Sequence, residues 1–207
     1  MPDEIDYNFL ENLKHLLNKF NYKFIIVVGG GKTARKYIEP LKKAGLSNEF
    51  QDWIGIECTR LNARLVSLFL GINHEIPKTI FEFIPIFKKH KISVLGGIKP
   101  GTTTDGISAL VAERIKASYI VNMTNVKGLY NKDPRTHSDA KLIKSIAYKD
   151  LKKLMPKEEA PGQHFIIDGL ALKTIEKHKI KAFIIGKDLK NLENLLKSKK
   201  FEGTIIF

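Results

Sequence analysis

The sequence is short of every feature that would take it out of the ordinary soluble class. Cys58 is the only cysteine in 207 residues. One thiol cannot build an internal disulfide framework, so cysteine usage gives no argument for secretion. No apolar run approaches the ~20 residues that a bilayer-spanning helix needs. Met1-Pro2-Asp3-Glu4-Ile5-Asp6 is acidic where a signal peptide would be basic and then apolar. The expectation is a cytoplasmic protein with no membrane partner. Solenoid repeats and low-complexity segments are missing too. So is a concentrated basic tract. The formal net charge is +13, but the lysines are scattered, as in Lys42-Lys43, Lys88-Lys89, Lys152-Lys153 and Lys199-Lys200, without interleaved aromatics. That pattern reads as a solvated lysine-rich surface and not as a nucleic-acid interface, and it suits small anionic substrates such as nucleotides.

The catalytic combinations that need histidine or cysteine are also absent. His15, His74, His90, His137, His164 and His178 stand far apart, mostly among lysines. They read as surface residues, and no Ser-His-Asp order, Cys-His pair or metal-spaced cluster emerges. No metal ligand is assigned.

What the chain does contain is organised around Phe24-Ile-Ile-Val-Val-Gly-Gly-Gly-Lys-Thr-Ala-Arg-Lys-Tyr37. Five β-branched or aromatic residues predict a strand buried on both faces, three glycines follow, and a helix carrying Lys32, Arg35 and Lys36 comes next. Glycine tolerates positive φ and lets backbone N–H groups approach an anion, which the positive end of the helix also attracts. Two familiar motifs nearly match. A P-loop needs glycine five residues before Gly31, and Ile26 stands there. Gly29-x-Gly31-x-x-Ala34 fits the loose dinucleotide fingerprint, yet no acidic strand end follows, since the region of Asp52 reads as helical. The same glycines would also suit a turn that only packs.

The periodicity predicts helices over 7–20, 33–44, 48–70, 79–87 (interrupted by Pro85), 106–115, 148–154, 166–178 and 189–196. It predicts strands over 24–28, 92–95, 119–123, 182–185 and 204–207, with a loop over 157–163. Alternation of this kind implies an α/β open sheet with helices on both faces. Strand 92–95 repeats the first design, ending in Gly96-Gly97-Ile98-Lys99-Pro100-Gly101-Thr102-Thr103-Thr104-Asp105. Its hydroxyls and amides suit a phosphate; Thr104 and Asp105 would also serve as helix caps. Strand 119–123 ends in Thr124-Asn125-Val126-Lys127-Gly128-Leu129-Tyr130, with Asp133-Pro134 beyond, either a lip for a planar base or an ordinary hairpin. Carboxyl ends of strands in such sheets share an edge, so the three loops are expected in one crevice suited to phosphoryl transfer.

Together these blocks carry a resemblance. Val27 to Tyr37, Asp52-Trp53-Ile54-Gly55-Ile56 with Thr59-Arg60, Gly96-Gly97 with Pro100 to Asp105, and Thr124 through Tyr130 to Asp133-Pro134 resemble the amino acid kinase family, and within it the archaeal uridylate kinase branch, along the whole chain. The resemblance implies a single domain over 1–207, a three-layer αβα sandwich with a mostly parallel sheet. It implies transfer of the ATP γ-phosphoryl group to UMP with Mg²⁺, in a homohexamer that serves pyrimidine synthesis. Gly30, Asp52 and the loop Ile98, Lys99, Pro100, Gly101, Thr102, Thr103 and Thr104 would hold UMP. Gly31, Arg35, Thr124, Asn125, Tyr130 and Asp133 would face ATP, with Arg35 neutralising phosphate charge in catalysis. The family's first strand and its Gly-Gly-Ser loop have no counterpart here, so either the start lies upstream or ATP binding is impaired. In the second case the chain would be a nucleotide-binding or regulatory form of the kinase. A kinase of another small acid or phosphate is a further alternative. Lys127 stands where relatives usually carry an acidic residue.

Overall fold

The computed structural model describes residues 5–155 and 167–207, so the expected 157–163 loop lies outside the described residues. The chain divides into two units, Met1–Ile107 and Ser108–Phe207. In the first, α1 (Tyr7–Asn18) leads into β1 (Phe24–Val27), α2 (Gly31–Lys43), α3 (Asn48–Phe69), α4 (Ile80–Lys89) and β2 (Ile92–Leu95). β1 and β2 pair in parallel, from Phe24 opposite Ile92 to Val27 opposite Leu95. Leu10, Leu17, Val28, Ala63, Val66, Leu70, Ile76 and Val94 make the core between them. α5 (Thr104–Ile115) runs from the first unit into the second.

The second unit adds β3 (Ile120–Met123), β4 (Ser145–Ile146), α6 (Tyr148–Leu154), α7 (Gly169–His178), β5 (Ala182–Ile185), α8 (Leu189–Leu196) and β6 (Thr204–Ile206). Its sheet runs β3-β5-β6-β4, parallel except where β5 meets β6. Leu151, Ile175, Ile184 and Ile206 centre its core. The expected α/β class with mostly parallel pairing is thus present, with the pairing carried by two sheets, one in each unit. Among the described residues no helix is long and apolar enough to cross a membrane.

Helix starts follow local chemistry. The side chains of Asp6, Ser47, Thr79 and Asp168 accept the N–H three residues on, each satisfying an amide that the helix itself leaves unpaired. Three expectations need correction. Pro85 does not interrupt α4: the carbonyl deprived of its donor belongs to Phe81, an exposed residue. β1 and β3 are half-buried, not sealed on both faces, while Val28 just after β1 is buried. His74 is buried, with Nδ1 against the Glu75 carbonyl at 2.8 Å, because it closes the turn after α3 instead of lying on the surface.

Thr204 is the buried brace of the second unit. Fully enclosed, its Oγ1 donates to the Ile143 carbonyl at 2.6 Å and accepts the Leu129 N–H at 2.8 Å. Valine has the same shape but neither function. Thr204→Val is expected to leave two buried backbone groups unpaired and to cost about 2–4 kcal/mol, read as a lowered urea midpoint.

Candidate functional site

The inner face of α3 sets the geometry of the first unit. Asp52, Thr59 and Asn62 fall on one side of that helix, the side that meets both glycine-rich loops. Thr59 is buried; its hydroxyl donates to the Ile56 carbonyl at 2.7 Å and accepts the Gly97 N–H at 2.6 Å. Arg60 donates from Nε to the Gly97 carbonyl at 3.2 Å and from Nη2 to the Ile98 carbonyl at 3.3 Å, while Nη1 pairs with Glu57. Asp52 Oδ2 accepts the Gly101 N–H at 2.7 Å. The second loop is therefore held at both of its ends. Helix and loop approach so closely that a Cβ on Gly96 would lie 2.7 Å from Thr59 Oγ1 and 2.9 Å from the Arg60 nitrogen.

Asn62 serves the first loop in the same way. Its Nδ2 donates to the Gly29 carbonyl at 2.9 Å and to the Gly30 carbonyl at 3.1 Å. Gly30 is right-handed helical, with φ −72° and ψ −26°, and Gly31 has φ +59°. That succession forms a concavity of backbone N–H groups of the kind that binds anions. Among the described residues the N–H groups of Gly29, Gly30 and Gly31 engage no partner. Arg35, one turn into α2, is exposed and makes no ion pair among the described residues, and the same holds for Lys99. Thr103 caps α5, its Oγ1 accepting the Gly106 N–H at 3.1 Å. Gly30, Gly31, Arg35, Asp52 and residues 98–104 therefore all belong to one unit, and their backbone donors and cations suit a phosphate.

Thr124, Asn125, Tyr130 and Asp133 belong to the second unit. There a cleft of about 500 Å³ is lined by Asn125, Lys127, Tyr130, Pro134, Lys187 and Glu202, among others. Thr124 Oγ1 accepts the Val126 N–H at 3.3 Å and so shapes the turn into it. Lys127 pairs with Glu202 at 3.1 Å, and the Asn191 side chain holds the Glu202 backbone through both its N–H and its carbonyl, at 2.8 and 2.6 Å. Asp133 does not line that cleft. It is locked to Arg135, whose Nε, Nη2 and backbone N–H all donate to its carboxylate. Hydrogen bonds from the Arg135 side chain, then from its backbone, pull the Asp133 carboxyl down to about 2, so it is an acceptor at neutral pH. Burial raises the Cys58 thiol, which leaves it a poor nucleophile.

Residues 4–186 match the model of the amino acid kinase family. The chain belongs to that family. It is 37% identical to the uridylate kinase of Thermococcus kodakarensis, an alignment covering 100% of this chain and 94% of that protein. The uridylate kinase of Thermoplasma volcanium is also 37% identical, over 95% of this chain and 88% of its own length. Among solved structures, the uridylate kinase of Archaeoglobus fulgidus superposes with a TM-score of 0.85 at 34% identity, covering 100% of this chain and 94% of that one. In this member of the amino acid kinase family Thr59, Arg60 and Asn62 position the loops, although the sequence alone marks none of them as a site residue. Their signal was legible as polar residues recurring on one face of the helix predicted over 48–70.

The Asp133–Arg135 pair gives a titration test. A depressed carboxyl contributes stability above its ordinary value of 3.8, and that contribution is lost as pH falls towards about 2. Carbon-detected NMR is expected to find the Asp133 midpoint near 2 in the parent chain. In Arg135→Ala it returns to the usual aspartate range, about 4.

Proposed function

We propose that this amino acid kinase transfers the γ-phosphoryl group of ATP to UMP, yielding UDP for pyrimidine nucleotide synthesis in the cytoplasm. The observation that carries this reading is the pairing, by one helix, of a glycine nest and a hydroxyl-rich loop, the first followed by exposed Arg35 and the second carrying exposed Lys99. Full-length likeness to uridylate kinases supports the choice of acceptor.

In this reading Gly30, Asp52 and the Ile98–Thr104 loop hold UMP. Asp52 Oδ2 is committed to Gly101, which leaves Oδ1 to accept from a ribose hydroxyl. Gly31, Arg35, Thr124, Asn125, Tyr130 and Asp133 serve ATP, with the Tyr130 ring against the nucleotide and Arg35 facing the transferred group. A UMP phosphate oxygen attacks the γ-phosphorus in line, and the bond from that phosphorus to the β–γ bridging oxygen breaks, releasing ADP. Backbone N–H groups and Arg35 offset the charge on the equatorial oxygens without having to reorganise. The described residues contain no cluster of three or more His, Cys, Asp or Glu fit to hold a metal. Mg²⁺ enters as part of the substrate, bound to ATP phosphate oxygens. Residues 1–207 act as one functional domain. The outer face of α3 exposes Phe50, Trp53, Leu61 and Leu68 at helical spacing, which supports a homo-oligomer, a hexamer by family likeness.

A coupled assay with ATP, Mg²⁺ and each nucleoside monophosphate tests the assignment. UMP is expected to be the best acceptor, and Arg35→Ala to lower kcat by about 10²-fold. Faster turnover of acetylglutamate or isopentenyl phosphate would move the acceptor assignment elsewhere.

A further inference from the structure

We infer that Asn62 is a positioning residue for phosphoryl transfer, one that touches no reacting atom and acts by fixing which way the first glycine loop points its amides. The inference rests on the kinase reading above. Asn62 is 5% exposed and spends its amide on two successive carbonyls, those of Gly29 and Gly30. Among the described residues there is no cis peptide bond. In a trans peptide the C=O of one residue is antiparallel to the N–H of the next. Drawing the Gly29 and Gly30 carbonyls onto α3 therefore turns the N–H groups of Gly30 and Gly31 away from α3. Those are the donors that find no partner among the described residues.

Without this anchor the arrangement has little to hold it. Glycine peptides rotate readily, because no Cβ restricts φ and ψ on either side. The Gly30 carbonyl keeps a second partner, the Ala34 N–H at 3.1 Å, whereas the Gly29 carbonyl is held by Asn62. Losing the amide frees the 29–30 peptide to flip, which would present a carbonyl oxygen to the incoming phosphate. A donor is then exchanged for a repelling acceptor at the point where negative charge accumulates. The side chain must be a neutral double donor, since aspartate would set a carboxylate against two carbonyl oxygens.

The experiment uses the full chain labelled with ¹⁵N-glycine, with the Gly30 and Gly31 amides followed by NMR as inorganic phosphate and then UMP are added. In the parent chain both amides shift. In Asn62→Leu, similar in volume but without the donor, the shifts are expected to disappear. kcat is expected to fall about 10²-fold, with KM for ATP changing much less. Asn62→Asp supplies a second readout if the leucine variant does not fold. Its activity is expected to be low at neutral pH and to recover as acid protonates the new carboxyl and restores one donor, where the parent shows no such rise. Retained shifts and kcat in folded Asn62→Leu, or a flat acid limb in Asn62→Asp, would overturn the positioning role alone. Amides of the parent chain that ignore both phosphate and UMP would overturn the kinase reading of the loop, and this inference with it.

Discussion

Everything proposed for the acceptor side depends on the inner face of α3. Buried polar groups are tolerated only when paired, and this helix pairs its own with the backbones of the two loops that follow β1 and β2. Asn62 takes the carbonyls of the first, while Thr59, Arg60 and Asp52 take amides and carbonyls of the second. A helix is stiff, so residues on its turns fix the distance between whatever they bind. The two loops thereby become one surface. Loops that carry glycine for close approach gain freedom with it, and the helix removes that freedom where a phosphate needs fixed donors.

The second unit solves a related problem with different parts. Thr204, enclosed in the sheet, ties the chain after β3 to the C-terminal strand, and Asn191 and Glu202 fasten the opposite wall of the cleft. Lys127 closes onto Glu202 across that cleft. The basic residue at that position is thus paired within its own unit. Asp133 and Arg135 form a similar self-contained pair.

Much of this was legible in the sequence. Apolar runs placed β1, β2, β3 and β5 within a residue or so, and glycine spacing located the loops that follow β1 and β2. Less legible was which apolar stripe of α3 faces inward. Phe50, Trp53, Leu61 and Leu68 carry the stronger hydrophobic pattern, yet they are exposed, and the core side is lined by Ile56, Ala63 and Val66 beside polar Thr59 and Asn62. Periodicity reports that a helix has faces and not what each face meets. Sequence order puts three loops after three strands, and strand pairing, a non-local property, divides those strands between two sheets. His74 was misplaced because its polar neighbours Asn73 and Glu75 say nothing about a ring that folds back against β2.

The central claim is that α3 prepares the acceptor loops without itself reacting. Calorimetric UMP binding to Thr59→Val tests it most directly, since valine keeps the packing and removes only the hydroxyl that holds the Gly97 amide. The account predicts a folded protein whose UMP affinity falls about tenfold, the equivalent of one hydrogen bond of preorganisation. Unchanged UMP affinity in a folded Thr59→Val chain would contradict it.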